Sequence, residues 1–243
     1  MKNYLINKTQ RESIWYSNFQ EIKYLIGKTI NIHNYFLRGK RISKFLKYNK
    51  VRKVQFGAGS GKLGEATKTS LEGFLDTDIF GKVPIDINYK LPFKDNSIDT
   101  IFNSHLIEHI YQRKAELFLK EAFRVLKTEG LLITATPTYS KIIDAIYGND
   151  NNKKQLIYDN HRMSINNRKP TPARIINCLS HINYGHKFLF DFETFKDLAL
   201  SAGFKKVKSV NISEIGDKEI MNFLDKKDDA FKIQTEIFIT YKD

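Results

Sequence analysis

Val54-Gln55-Phe56-Gly57-Ala58-Gly59-Ser60-Gly61 is the stretch that decides the fold of this chain. Its start is mostly apolar, as expected for a buried β-strand, and its glycines allow a ligand to approach the backbone closely. Asp78 follows a second apolar run, Phe74-Leu75. Glycines at the end of one strand and an acid after the next predict a nucleoside site in a doubly wound α/β sheet.

The spacing of the glycines limits the kind of ligand. The pattern is G-x-G-x-G, and Lys62 occupies the place where a dinucleotide fingerprint has its third glycine, next to the pyrophosphate. The sequence also lacks the G-x-x-x-x-G-K-[ST] segment that cradles phosphates. The loop therefore predicts a nucleoside ligand without phosphates, and the simpler alternative is a glycine turn that binds nothing.

Three later segments carry a resemblance to a known family. They are Leu91-Pro92-Phe93-Lys94-Asp95-Asn96-Ser97-Ile98-Asp99-Thr100-Ile101, Ser104-His105-Leu106-Ile107-Glu108-His109, and Glu121-Ala122-Phe123-Arg124-Val125-Leu126-Lys127-Thr128-Glu129-Gly130-Leu131-Leu132. Together with the glycine loop, they resemble the class I S-adenosylmethionine-dependent methyltransferases over about residues 52 to 138. Two departures from the family pattern are Thr128-Glu129 in place of Pro-Gly, and Gln55 in place of Asp or an apolar residue.

A fourth segment narrows the resemblance. Tyr184-Gly185-His186-Lys187-Phe188-Leu189-Phe190-Asp191, followed by Ala202-Gly203-Phe204, is similar to methyltransferases found among bacterial surface-polysaccharide enzymes. Family members that methylate amines usually carry Asn/Asp-Pro-Pro-Tyr/Phe after the fourth strand, and Asn103-Ser104-His105-Leu106 is found there instead. The resemblance therefore implies an enzyme that uses S-adenosylmethionine and favours O-methylation of a sugar or glycan precursor.

Alternating strand and helix patterns predict the core. The fold class is α/β, with a doubly wound, mostly parallel seven-stranded sheet and an antiparallel C-terminal edge strand. Asp191 and Gly203 are the expected N-cap and C-cap of a late helix. The predicted strands are 53–57, 72–77, 83–86, 98–103, 130–136, 204–210 and 235–241, and the predicted helices are 61–69, 112–127 and 193–202.

Three regions are expected. Residues 1–50 form a basic, helical N-terminal extension over the cofactor end of the sheet, and residues 51–142 and 188–243 form the methyltransferase core. Residues 143–187 follow the fifth strand and are predicted to form a lid that shapes the acceptor pocket. Within this insert, Pro170 and Pro172 are expected to interrupt regular structure.

The resemblance implies a set of cofactor-binding residues. Asp78 would accept hydrogen bonds from both ribose hydroxyls, with Asp76, one pleat period away, as the competing carboxylate. Asp86 would bind the adenine amino group and Ile87 would pack on its ring, while the end of the fourth strand would face the sulfonium. The full set is Gly57, Ala58, Gly59, Gly61, Asp78, Asp86, Ile87, Asn103 and Ser104.

Histidines are the expected catalytic residues. An alcohol acceptor must lose a proton, and His is the side chain that titrates near neutral pH. His105 and His186 are the first candidates for this general base, and His161 is a further one. His105 with Glu108 and His109 also matches the H-x-x-E-H pattern of a zinc hydrolase helix. No third zinc ligand has an obvious place in the sequence, so no metal site is expected.

Length and composition limit the number of domains, the disulfides and the membrane segments that the chain can have. A chain of 243 residues with 41% hydrophobic content is long enough for one α/β domain with a full core. The single Cys178 excludes an intramolecular disulfide, and no apolar stretch approaches the ~20 residues of a membrane span. The first 18 residues lack the apolar segment of a signal peptide, so a cytoplasmic location is expected.

The net charge of +13 bears on the partners. Residues 1–50 hold eleven Lys/Arg against two Glu, and residues 151–187 hold seven against one Asp. This excess is either compositional or suits an anionic or lipid-linked acceptor, with peripheral membrane contact left open. No nucleic-acid signature accompanies it, so an RNA-directed methyltransferase is a secondary hypothesis. A non-catalytic binding module with the same fold is a third.

Overall fold

A six-stranded mixed sheet forms the centre of the protein. In the computed structural model, residues 29, 31–59, 69–161, 168–182 and 185–243 are described. The strand order across the sheet is β2-β1-β3-β4-β6-β5. The strands are β1 Lys53–Phe56, β2 Phe74–Thr77, β3 Ile98–Ser104, β4 Leu126–Pro137, β5 Lys206–Val210 and β6 Thr235–Tyr241.

The helices pack around this sheet. They are α1 Ile32–Tyr48, α2 Gln112–Val125, α3 Tyr139–Tyr147, α4 Asn151–Asn160, α5 Pro172–Asn177, α6 Phe192–Ser201, α7 Lys218–Asp225 and α8 Asp229–Gln234. Helix α2 joins the parallel strands β3 and β4, and its apolar positions recur every three or four residues, so one face is buried. Phe118 and Leu119 on this face are fully buried in the main core. The helix at 112–127 and the capped helix after Asp191 are thus confirmed, with ends shifted by one or two residues. The helix predicted at 61–69 lies almost wholly outside the described residues.

The prediction of a strand at residues 83–86 is wrong, because this segment is irregular. Pro84 has no N–H that could donate a hydrogen bond to a neighbouring strand. The carbonyl groups that such a strand would have used accept hydrogen bonds from side chains of helix α1 and of the residue before it. Arg38 donates to the Pro84 carbonyl at 3.2 Å, Arg41 donates to that of Lys82, and Asn31 donates to that of Gly81 at 3.1 Å. Side chains of α1 therefore replace a strand as the partner of this segment.

The C-terminal strand β6 is antiparallel to both of its neighbours, as predicted. It lies between β4 and β5, so that β5, parallel to β4, is the outermost strand at this end. The carboxyl ends of β3, β4 and β5 and the start of β6 therefore meet at one edge of the sheet. This edge is where ligands bind in open α/β sheets.

The insert between β4 and α6 is largely helical in its described part. Pro172 does not interrupt regular structure there, because it is the first residue of α5, where its missing N–H leaves no bond unmade. Helix α4 begins at Asn151 behind Asp150, whose carboxylate caps it. Buried side chains of α3, α4 and α5 form a small core of their own, which includes Ile146, Ile157 and Ile175. Among the described residues, no helix is both long and apolar enough to cross a bilayer.

Candidate active site at the carboxyl edge of the sheet

The turn after β1 is shaped by glycines in a left-handed conformation. Gly57 has φ 70° and Gly59 has φ 71°, values that cost other residues strain. A Cβ atom on Gly57 would lie 3.0 Å from Cδ1 of Leu106, so the turn packs directly against the segment that follows β3. Gly61, the third predicted glycine, lies outside the described residues.

Asp78 faces this turn from the end of β2. Its carboxylate accepts hydrogen bonds from the backbone N–H of Gly59, at 3.0 Å, and of Phe80, at 3.1 Å. Burial raises the pKa of Asp78 above its usual value, and the two backbone hydrogen bonds oppose that rise. A carboxylate can accept about four hydrogen bonds, so acceptor capacity remains for a diol.

A cavity of about 310 Å³ lies beside Asp78. Ala58, Gly59 and both carboxylates, Asp76 and Asp78, line it together with Arg41 of α1. Asp76 also accepts a hydrogen bond from the Ser70 hydroxyl, outside the ladder. The structure therefore brings the two competing acids to the same cavity, with Asp78 the one that holds the glycine turn.

A second cavity, of about 480 Å³, lies between the irregular segment and α1. Asp86 lines it and uses one carboxylate oxygen to accept from the backbone and side-chain N–H groups of Asn88. Ile87 is only 5% exposed and packs in the main core, whereas Ile85 and Tyr89 line the cavity. Ile87 is not among the residues that line this cavity, and its contact with an adenine ring stays a prediction.

These two cavities fit the nucleoside ligand that the glycine loop predicts. Each lies within the range of about 300–1,000 Å³ that is typical of small-molecule sites. The residues from 78 to 86 line one cavity or the other in turn, so the two cavities are neighbours. Their carboxylates could bind a diol and an amino group. At the glycine turn, the lining is backbone rather than bulky side chains. We call them together the cofactor pocket.

Asn103 and Ser104 end the neighbouring strand, β3. Asn103 is fully buried, and its side-chain amide donates to the Thr134 hydroxyl at 2.9 Å. Its side-chain oxygen has no hydrogen-bond partner among the described residues. Ser104 is only partly buried, and it pairs with Ala135 of β4.

His105 follows directly, with a left-handed φ of 49° that a β-strand residue would not adopt. Nε2 of its ring lies 2.8 Å from the Thr235 hydroxyl, and the ring stacks on Phe231 with 4.2 Å between centroids. Burial, with smaller contributions from nearby positive groups, lowers the pKa of His105 to about 3. The ring is therefore neutral at neutral pH. A strained, non-glycine residue held by two contacts is a common mark of a functional position.

Glu108 lies beneath His105 and is completely buried. One carboxylate oxygen accepts from the Thr136 hydroxyl at 3.0 Å, while Oε1 has no hydrogen-bond partner among the described residues. Oε1 lies 3.7 Å from Nδ1 of His105 and 4.0 Å from Nε2 of His109. Burial raises the pKa of Glu108 to about 8. At neutral pH, Glu108 holds a proton and the adjacent imidazole does not.

His186 joins this group from a distant part of the chain. Its ring is 4.8 Å from that of His109, edge to face, and its Nδ1 donates to the Leu179 carbonyl at 2.6 Å. Burial lowers the pKa of His186 to about 4, so the ring is neutral and Nε2 carries the lone pair. We call His105, Glu108, His109 and His186 the histidine cluster.

His161, the further candidate, is buried, and its Nε2 lies 3.3 Å from the Gln234 side-chain oxygen. The zinc hydrolase geometry is absent, because His105 precedes a single 3₁₀ turn, Ile107–His109, rather than lying on an α-helix. Sequence reasoning assigned Glu108 no role of its own. The feature of the sequence that could have pointed to Glu108 is its position directly before His109, in a segment that follows a buried strand.

A third cavity, of about 790 Å³, opens at the same edge of the sheet. Phe231 and Thr235, the two residues that contact His105, both line it. Its other lining side chains are largely polar and include Lys141, Lys232 and Glu236. We call this the edge cavity.

Comparison with known proteins bears on residues 55–134, which match a family described as "Methyltransferase domain". The match spans the glycine turn, Asp78, Asp86 and the histidines after β3. No curated protein matches the chain.

Solved structures resemble the fold only distantly. A CurJ carbon methyltransferase has a TM-score of 0.45 and 14% identity, over 86% of this chain and 54% of its own. The phosphoethanolamine N-methyltransferase 2 of Haemonchus contortus has a TM-score of 0.44 and 14% identity, over 80% and 49%. An S-adenosylmethionine-dependent methyltransferase from Archaeoglobus fulgidus has a TM-score of 0.44 and 16% identity, over 87% and 94%. This chain thus spans about half the length of the first two, and the TM-scores below 0.5 decide nothing about the acceptor.

Residues 55–134 thus match a methyltransferase domain, and both the glycine turn and the carboxylate that faces it lie within the matched residues.

Proposed function

We propose that this protein is an S-adenosylmethionine-dependent methyltransferase, with S-adenosylmethionine as its cofactor, and that it methylates a hydroxyl group of a sugar or glycan precursor. The observation that carries the proposal is that His105 contacts two residues that line the edge cavity, Thr235 at 2.8 Å and Phe231 through stacked rings. This contact puts a neutral imidazole, able to take a hydroxyl proton, next to a large polar cavity at the ligand-binding edge.

The cofactor pocket supplies the other reactant. When bound, S-adenosylmethionine provides a methyl group attached to a positively charged sulfur. Asp78 would hold the ribose, Asp86 the adenine, and the turn at Gly57–Gly59 the methionine part, with backbone carbonyls of Asn103 and Ser104 near the sulfonium. These residues orient the methyl group toward the acceptor, and alignment of the two reactants provides much of the rate.

The lining of the edge cavity suits a polyol. The Glu236 carboxylate accepts hydrogen bonds from three hydroxyl groups, those of Ser209, Thr138 and Ser140. A sugar hydroxyl could replace any of these donors without leaving a buried charge unpaired. Lys141 and Lys232 also line the cavity; Lys232 pairs with Asp225 at 3.6 Å, which leaves Lys141 as the cation that could contact a phosphate or another anionic group of the acceptor.

The proton is assigned to His105 rather than to His186. His186 has one nitrogen committed to the Leu179 carbonyl and faces His109, away from the residues that line the edge cavity. A low pKa makes His105 a weak base, so its contribution lies at the small end of what general bases give. The insert 143–187 would serve as the lid over this side, in a cytoplasmic enzyme whose basic surface meets an anionic or lipid-linked acceptor.

Release of S-adenosylhomocysteine from a panel of acceptors tests the proposal. The panel contains nucleotide sugars, phosphorylated glycans and lipid-linked glycans, with phosphoethanolamine and RNA as acceptors of other classes. We expect transfer to the glycan group, and mass spectrometry of the product should show an O-methyl ether. Transfer confined to an amine, or to RNA with affinity that falls steeply with salt, would refute it.

A pair of lysine variants ties the result to the edge cavity. Lys141→Ala should raise KM for an anionic acceptor severalfold with little change in kcat, because it removes a charge that binds ground state and transition state alike. Lys208→Ala, an exposed lysine of β5 outside the cavity lining, is the matched control. Equal KM values for both variants would place the acceptor elsewhere.

A further inference from the structure

We propose that Glu108, His109 and His186 form a binding site for one divalent transition-metal ion of the zinc type. No short pattern in the sequence predicts such a site, because two of the ligands are adjacent and the third is far along the chain. The structure brings one donor atom from each to within 4.8 Å of the others. Two imidazole nitrogens and a carboxylate oxygen form a ligand set typical of zinc and related ions.

The unsatisfied oxygen of Glu108 is the independent observation that points to a ligand. Glu108 is completely buried, and its Oε1 lacks a hydrogen-bond partner among the described residues. A fully buried carboxylate oxygen without a hydrogen-bond partner is unfavourable, because it has lost its hydration and gained nothing in exchange. A cation between Oε1 and the two imidazoles would satisfy it and would allow the carboxylate to be charged.

Contacts behind the ligands hold them in the orientation that an ion requires. Metal-binding histidines usually donate their second N–H to a carbonyl or carboxylate. His186 donates Nδ1–H to the Leu179 carbonyl at 2.6 Å, which fixes the orientation of its ring. His109 has a corresponding hydrogen bond to the backbone of Gly185, and the second oxygen of Glu108 is held by Thr136.

The spacing needs only a small adjustment. With bonds of about 2.0–2.1 Å to a tetrahedral ion, ligand atoms lie about 3.4 Å apart. The donor atoms, which lie within 4.8 Å of one another, would therefore approach by up to about 1.4 Å. The His109 side chain, which is 40% exposed, has room to move. Three protein ligands leave a coordination position open, which is the arrangement of catalytic zinc sites.

The ion would have a positioning role, which rests on the function proposed above. It would tie the 3₁₀ turn after β3, which carries Glu108 and His109, to the distant segment that carries His186. Because His105 directly precedes that turn, the ion would fix the backbone next to the residue to which the proposed function assigns the acceptor proton.

Metal binding can be measured without any turnover. The tag-free chain of 243 residues is treated with a chelator, dialysed, and titrated with Zn²⁺ by calorimetry and with Co²⁺ by visible absorption. We expect one equivalent per chain and the intense Co²⁺ bands of a tetrahedral nitrogen–oxygen site. Mg²⁺, which prefers octahedral oxygen ligands, should not compete at equal concentration.

Variants locate the ion. His186→Ala and Glu108→Gln should each weaken Zn²⁺ binding at least about tenfold and abolish the Co²⁺ bands. His33→Ala, an exposed histidine on α1, is the matched control and should retain both. If Glu108→Gln fails to fold by circular dichroism, His109→Ala decides, since its half-exposed side chain tolerates truncation.

Two results would overturn the site: no stoichiometric binding by the folded wild type, or binding undiminished in both His109→Ala and His186→Ala. Neither result depends on the acceptor, so the site can fail while sugar methylation succeeds. Conversely, a chain that binds one Zn²⁺ but methylates only amines would keep the metal site and refute the acceptor.

Discussion

The cofactor pocket and the histidine cluster lie at the same edge of the sheet but are built in different ways. In the cofactor pocket, the two acids that the sequence singles out contact residues close to them in the chain: Asp86 contacts Asn88, 2 apart, and Asp78 contacts Gly59, 19 apart. Among the described residues, only helix α1 and the residue before it reach this pocket from far along the chain, as Arg38 does at Pro84. In the histidine cluster, Glu108 is joined to Thr136, 28 residues on, and His105 to Thr235, 130 residues on. The first region can be recognised from a short pattern, whereas the second exists only once the fold has brought its parts together.

The largest effect on stability should come from a substitution at Gly57, where the glycine turn packs against Leu106, next to the histidine cluster. Gly57→Ala combines a left-handed φ with a Cβ atom 3.0 Å from Leu106. The conformational cost of about 1–2 kcal/mol and overpacking of about 1–3 kcal/mol should lower the free energy of unfolding by about 2–5 kcal/mol in urea denaturation.

Gly73→Ala separates the two contributions. Gly73 has φ 76°, and a Cβ atom there would meet nothing within 4 Å, so this variant should lose only the conformational cost. Adding Leu106→Ala to Gly57→Ala should recover part of the stability that the Gly57 change loses. Equal losses at Gly57 and Gly73 would mean that the two regions are not mechanically joined.

The second effect tests the cluster alone. His105→Asn keeps a residue that tolerates the left-handed conformation but removes the imidazole. We expect kcat to fall about a hundredfold, at the low end for a general base, with S-adenosylmethionine affinity unchanged by calorimetry. His33→Asn is the control, and a kcat within threefold of wild type for His105→Asn would remove the proposed role.

The third effect tests the cofactor pocket alone. Asp78→Asn cannot accept from Gly59, Phe80 and a ribose diol together, so S-adenosylmethionine binding should weaken by about 1–3 kcal/mol. Burial raises the pKa of Asp78 above its usual 3.8, so this carboxylate takes up its proton at a higher pH than a free one does. The affinity of the wild type for S-adenosylmethionine should therefore fall as the pH is lowered, and the fall should begin before pH 3.8 is reached. The Asn variant should lack this fall, because it has no proton to gain.

Asp76→Asn is the matched control for that experiment, since Asp76 lines the same cavity. If Asp76→Asn abolishes the pH dependence and Asp78→Asn does not, the ribose belongs to Asp76.

The smallest effect concerns the helix that takes the place of a strand. Arg38→Ala removes the donor to the Pro84 carbonyl and should lower the free energy of unfolding by about 0.5–1.5 kcal/mol. Lys40→Ala, exposed on the same helix, should change it by less than about 0.5 kcal/mol. Similar values for the two would show that α1 is not held by these carbonyl bonds.

Much of the fold follows from local pattern, because strand and helix periodicities are properties of contiguous residues. The strands beginning at Lys53 and Thr235 and the helix beginning at Gln112 are found where the sequence puts them. The error at 83–86 arose because an apolar run with the right spacing cannot reveal that side chains from α1 occupy its carbonyls. Hydrogen bonds over more than forty residues leave no periodic trace.

The same limit applies to the candidate site. His105 and His186 could be singled out because histidine is chemically suited to proton transfer, but the sequence could not say that His105 contacts Thr235, a residue that lines the edge cavity. Glu108 was considered only as part of the H-x-x-E-H pattern, and that pattern does not reveal its burial. Its complete burial depends on how β4 and the 3₁₀ turn pack, which no short window of sequence contains.

The packing of Leu106 on Gly57 has a consequence for engineering. The segment that leads into the histidine cluster and the glycine turn after β1 are in direct contact, and a Cβ atom added at Gly57 would lie 3.0 Å from the Leu106 side chain. Replacing the segment after β3 therefore has to preserve a residue of leucine shape at position 106. Under the proposed function, a change meant for substrate choice would otherwise also disturb the turn that is expected to bind the methyl donor.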